Sequence, residues 1–299
     1  MTPPDIDAAS RFLAGHARVL DRRRFERLFA GGDPEPVRAA VAAYGNDDGG
    51  FGHALEPDGR TPTSQPAAVQ LALRTLDEAD AWDDELVGGA LNWLERTAPA
   101  EGGTVFVAPG VEGWPHAPWW APLPGLPPSP ATTGSIAGTL HARGVEHPWL
   151  ARSTDLLWRL IDEVDDPGAY DMRGALAFLE QVPDRDRAAA AFERVGTLLR
   201  ERGLVELDPS AAGEVHGPLD FAPRPDSIAR RLFDEGTIEA HLDHLAQGQL
   251  DDGGWTFNWQ AWSPLAELEW RGSLTVDALQ VLVANRRWSG ELTGAASRA

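Results

Sequence analysis

Apolar residues recur at three- and four-residue spacing through most of this chain, with glycine- and proline-rich breaks between the periodic stretches. That spacing marks one face of a helix. It predicts helices over 5–30, 35–44, 64–80, 84–97, 131–143, 148–164, 170–181, 186–202, 226–235, 236–248 and 273–287. Two kinds of helix alternate. SQPAAVQLALRTL (64–76) and LTVDALQVLVANR (274–286) are apolar around nearly their whole circumference, whereas 188–202 and GTIEAHLDHLAQ (236–247) set a charged face against an apolar stripe. A helix of the first kind has to be covered on most sides, and one of the second kind faces water. The alternation predicts an inner and an outer layer of helices. Strand signals are thin: GGTVFVAPG (102–110) is a short extended stretch that reads as the arm of a small hairpin.

The breaks are patterned too. Asp47-Asp48-Gly49-Gly50-Phe51 returns 204 positions later as Asp251-Asp252-Gly253-Gly254-Trp255. The adjacent acids diverge and lack the alternate spacing of a calcium loop. A phosphate loop wants a basic residue beside its glycines, and none stands here. Asp-Gly and Gly-Gly do supply a left-handed turn after a helix, on which the following aromatic can pack. The pattern is therefore best read as punctuation between hairpins. Leu55-Glu56-Pro57-Asp58-Gly59 follows the first copy and Leu268-Glu269-Trp270-Arg271-Gly272 the second, both read as loops leading into apolar helices. Further helix starts at 128–142 and 167–180 fit a repeat of roughly 40–50 residues. About six such hairpins fill the chain, and we read 1–299 as one domain.

The stretch Gln249-Leu-Asp-Asp-Gly253-Gly-Trp255 resembles the QW motif (Gln, three residues, Gly, one residue, Trp). That motif belongs to squalene–hopene cyclases and related class II terpene cyclases. The copy at Gly45–Phe51 departs from it, with Gly for Gln and Phe for Trp. The resemblance implies an all-α fold, an (α/α)6-like toroid of helical hairpins with inner and outer rings. It also implies an isoprenoid ligand in an aromatic-lined central cavity, met by acid-initiated cyclisation or isomerisation. The same toroid is found in protein prenyltransferase β-subunits, complement-type thioester domains and several carbohydrate-active enzymes. The catalytic Asp-x-Asp-Asp of class II cyclases is absent; Pro62-Thr63-Ser64-Gln65 stands at the comparable helix start. The magnesium motifs of class I cyclases are missing as well.

Composition narrows the chemistry further. There is no cysteine, which removes thiolate nucleophiles, thiolate zinc sites and the prenyltransferase metal site. We expect no metal and no cofactor. Lys and Arg number 26 against 46 Asp and Glu, a net charge of −20. Such a surface repels nucleic acid and anionic membranes. No apolar run reaches a membrane-spanning length, and the N-terminal residues do not read as a secretory signal. A cytoplasmic protein is expected.

Tryptophan is abundant, 12 residues against 2 tyrosines. Three of them, Trp114, Trp119 and Trp120, lie in a segment with eight prolines (108–130) that reads as a loop or cavity rim. Trp259, Trp262 and Trp270 follow the second turn. These six are the candidate walls of a ligand site. The candidate acids are Glu56 and Asp58 on one loop and Glu267 and Glu269 on the other, with His53 placed to orient an acid. A carboxyl group among apolar walls can donate a proton at neutral pH, and indole faces attract positive charge. Simpler roles compete: Pro57-Asp58-Gly59 is an ordinary turn, and Glu269 can pair with Arg271. Two further readings stand beside the cyclase-like one. One is a non-catalytic toroid that binds a hydrophobic ligand or a protein. The other is a carbohydrate-active toroid.

Overall fold

Every regular element in the computed structural model, which describes residues 4–122 and 125–288, is helical. In chain order these are α1 (Ile6–His16), α2 (Val19–Phe29), α3 (Glu35–Ala42), α4 (Pro66–Glu78), α5 (Asp84–Thr97) and α6 (Pro130–Ala142). Then come α7 (Pro148–Glu163), α8 (Ala169–Gln181), α9 (Arg185–Glu201), α10 (Pro218–Phe221), α11 (Glu235–Gln247) and α12 (Pro264–Ala284). The chain gathers into two compact units. One contains residues 4–40, 79–81 and 206–288; the other contains 41–78 and 82–205.

In the second unit the two predicted kinds of helix sort into two rows. α4, α6 and α8 pack side by side, and α5, α7 and α9 form the companion row. The first row is close-packed because its residues are small. A Cβ added to Gly134 on α6 would sit 2.3 Å from the carbonyl oxygen of Gly174 on α8, so the two backbones approach as only glycine permits. The companion row is amphipathic and tied by arginines. Arg187 on α9 lies 4.3 Å over the Trp158 ring and 2.8 Å from Asp162, while Arg194 Nε donates to the Ile161 carbonyl at 3.1 Å.

The first unit is built around α12, which packs against α1, α2 and α11. Phe12, Leu13, Phe25, Trp255, Val276 and Leu279 form its core. A charged network lies buried beside them. Arg24, 1% exposed, donates to Asp21 at 3.2 Å, to Ser273 at 3.2 Å and to Asp277 at 2.6 Å. Asp277 sits midway along α12 and is committed to this pair.

Four sequence expectations change. The helix expected over 5–30 breaks at Ala17 and Arg18, which take extended backbone; Ala17 is wedged against Gly272 of α12. The expected helix at 226–235 shrinks to a 3-10 segment, Ile228–Leu232. The stretch 102–110 makes no strand. Its amide groups donate to side chains of helices instead: Gly103 to Ser153, Thr104 to Thr133 and Ala108 to Gln65. Finally, α12 starts at Pro264, capped by Ser263, whose hydroxyl accepts from the Ala266 amide at 3.1 Å. Leu268–Gly272, expected as a loop, is therefore helical.

Candidate functional site

The repeated turn is geometrically real. In the first copy the Asn46 amide donates to Gly50 O at 2.9 Å, Gly49 N to Asn46 O at 2.9 Å, and Gly50 N to Asp48 Oδ1 at 2.9 Å. In the second, Leu250 N donates to Gly254 O at 2.9 Å, Gly253 N to Leu250 O at 2.8 Å, and Gly254 N to Asp252 Oδ1 at 3.0 Å. Gly49 and Gly253 take left-handed φ values of +87° and +94°. Each also presses its backbone on a helix, Gly49 on Gly89 of α5 and Gly253 on Ala8 of α1. The acids are structural. Asp48 accepts from Ser64 Oγ at 2.7 Å, and Asp252 accepts from Arg271 at 2.7 and 2.8 Å. Arg271 holds the Asp252 carboxyl below the ordinary carboxylate range, against a smaller opposing effect of burial.

The Gln and Trp of the second copy are staples. Gln249 accepts from the Asp5 amide at 2.7 Å and donates to Asp5 O at 2.7 Å and Gly253 O at 2.9 Å. Trp255 is 3% exposed, and its indole donates to Leu245 O at 2.8 Å. The motif thus joins the end of α11 to the start of α1.

Of the candidate residues, Glu56, Asp58, Trp119 and Trp120 come together in the second unit, just ahead of α4. Glu56 and Asp58 are each 6% exposed. The Asp58 amide donates to Glu56 Oε2 at 2.7 Å, so the two acids share one tight loop. Trp119 Nε1 donates to Asp58 Oδ2 at 2.8 Å. Trp120 is 1% exposed and lies on Gly59, where an added Cβ would sit 2.0 Å from the indole ring. Its own Nε1 is buried without a hydrogen-bond partner among the described residues. Phe106 meets the Trp120 ring edge-on at 6.0 Å.

Thr61 and Gln65 complete the corner. Thr61 Oγ1 donates to Gly110 O at 2.9 Å, and Gln65 Oε1 accepts from the Ala108 amide at 2.9 Å. Their signal was their position at the start of an apolar helix. Glu56, Thr61, Gln65, Ala68 and Trp120 line a shallow cleft. An organic ligand needs a pocket of roughly 300 Å³ or more, and the cleft, at about 140 Å³, is smaller than that.

The remaining candidates are placed elsewhere. His53 is exposed, and its Nε2 pairs with Asn46 Oδ1 at 2.9 Å, so Asn46 is what orients it. Trp114 is 47% exposed on the same loop as Trp119. Trp259, Trp262, Trp270, Glu267 and Glu269 belong to the first unit. Trp259 stacks on Phe257 at 4.4 Å and meets Trp270 edge-on at 5.6 Å; Trp262 is half-buried. Glu267 and Glu269 lie on the first turns of α12, Glu267 exposed and Glu269 half-buried. Arg271, read as a partner for Glu269, pairs with Asp252 and lies 4.5 Å over the Phe12 ring. Among the described residues no group of three His, Asp or Glu side chains is placed to hold a metal ion.

Neither a protein-family profile nor a curated protein matches the sequence. The chain is similar to a protein from Actinoplanes known from a crystal structure, with a TM-score of 0.57 and 16% identity over 94% of this chain and 99% of that one. At that identity the likeness is one of fold, and it extends over nearly the whole of both chains.

Proposed function

We propose that this protein is a terpene-cyclase-like member of the α/α toroids, cytoplasmic, and that it binds or transforms an isoprenoid at the Glu56–Asp58 corner. The observation that carries the reading is the placement of two buried carboxyl groups against Trp119 and Trp120 at the start of an apolar helix. A carboxyl in such a setting can hand a proton to an alkene, and indole faces stabilise the positive charge that results. No helix among the described residues is long and apolar enough to cross a membrane, in keeping with a protein that takes up its ligand from solution. The test is incubation of the purified protein with farnesyl diphosphate, geranylgeranyl diphosphate and squalene, with mass spectrometry of the extracts. We expect a rearranged product that Glu56→Gln and Asp58→Asn abolish while circular dichroism stays unchanged. No product from any of the three retires the catalytic reading.

The exposed rings of Trp114 and Trp119 beside the corner favour a second reading, a non-catalytic toroid that holds a hydrophobic ligand or protein. Saturable quenching of tryptophan fluorescence by the same compounds, without turnover, supports it.

A further inference from the structure

The loop from Ala108 to Pro122 covers the acid corner through the buried side chains of Val111, Ala117 and Trp120 and a short series of bonds. Ala108 N donates to Gln65 Oε1 at 2.9 Å, Thr61 Oγ1 to Gly110 O at 2.9 Å, Arg60 N to Pro115 O at 2.9 Å and Ala117 N to Asp58 O at 2.7 Å. The bond from Trp119 Nε1 to Asp58 Oδ2 differs from these. It runs from a ring that is 48% exposed to an acid that is 6% exposed. A hydrogen bond of this kind contributes about 0.5–1.5 kcal/mol net, and its donor sits on a side chain that is half exposed.

The loop is stiff along much of its length. Pro109, Pro115, Pro118 and Pro122 each fix their φ and stiffen it. Gly110 and Gly113 take left-handed φ values of +106° and +95° near one end. Beneath it, the cleft beside Glu56 is too small for an organic ligand.

We infer that residues 108–122 are a lid over the Glu56–Asp58 corner and that the Trp119–Asp58 hydrogen bond is its latch. This rests on the reading of that corner as the ligand site. Trp119 is then a positioning residue: it holds Asp58 and the lid together, and a ligand enters when the bond breaks.

Trp119→Phe in the full chain keeps the ring and removes the donor. Its hydrogen–deuterium exchange is compared with wild type and with Trp114→Phe, an exposed ring on the same loop. The amides of Arg60, Ala117 and Trp120, bonded across or within the lid, are expected to exchange roughly tenfold faster in Trp119→Phe. Those of α6 and α8 and the whole of Trp114→Phe should match wild type. Unchanged exchange at the three lid amides overturns the proposal. So does equal acceleration across α6 and α8, which makes the bond a support of the whole unit. The readout needs no ligand, so failure to find an isoprenoid product leaves the lid standing, and a failed latch leaves the product assay to decide the function.

Discussion

At the scale of single residues, the doubled Asp-Asp-Gly-Gly turns show how one local rule serves two places with different supports. Both copies make the same three internal hydrogen bonds, and both glycines sit at positive φ against a helix backbone. The supports differ: a neutral serine holds Asp48, and a guanidinium holds Asp252. Of the two carboxyl groups, only the second is met by a guanidinium. Because the folded Asp252 carboxyl lies below its ordinary value of 3.8, its contribution to stability is complete above that range and is lost as pH falls through it. Asp252 is 43% exposed, which limits the contribution to about 0.5–1 kcal/mol. Asp252→Asn should therefore be less stable than wild type at neutral pH, with the gap closing as pH falls below the ordinary carboxylate range. Urea unfolding at neutral and at low pH measures it, and a gap that persists at low pH contradicts the charge argument.

At the scale of elements, helix number and kind were largely readable, because amphipathic and wholly apolar helices bury different fractions of their surface. Boundaries were less so. Leu268–Gly272 resembled the loop at Leu55–Gly59 in sequence, yet Ser263 and Pro264 start a helix upstream that absorbs it. Capping outweighed analogy there, and it moved Glu267 and Glu269 from a loop onto a helix. Propensity and packing also pull in opposite directions at helical glycines, which makes them informative. Helix propensity alone favours alanine over glycine by about 1 kcal/mol. At Gly88 of α5 nothing lies within 4 Å of an added Cβ, so Gly88→Ala should raise stability by roughly that amount. At Gly134 of α6 the added atom meets the α8 backbone, so Gly134→Ala should lower stability by about 1–3 kcal/mol. Thermal unfolding of both variants gives opposite signs if close approach governs the α6–α8 contact, and equal signs if propensity does.

At the scale of the whole molecule, the acid corner and the end-to-end staple were legible to different degrees. Glu56 and Asp58 were visible as a carboxyl pair ahead of an apolar helix. Their partnership with Trp119 was not, since it joins positions 61 residues apart through a proline-rich loop that has no periodicity to read. The staple is the more consequential case. Gln249 and Trp255 act on α1 and α11, so the first unit is assembled from the two ends of the chain. Within it α1 stands to the second turn as α5 stands to the first, one glycine backbone seated on each. Removing residues 1–17 should then uncover α12 and unseat Trp255. Phe12, Leu13 and Ile6 are buried there, and each large apolar side chain contributes about 1.5–3 kcal/mol. Their loss approaches the whole stability of a typical domain, about 5–15 kcal/mol. The truncated chain should lose near-ultraviolet circular dichroism from Trp255 and Trp270 and exchange the α12 amides freely. The rows of α4 to α9, with their own core, should stay protected. Retention of α12 protection without α1 would show that the last hairpin is complete by itself and that the staple is an ornament of the fold.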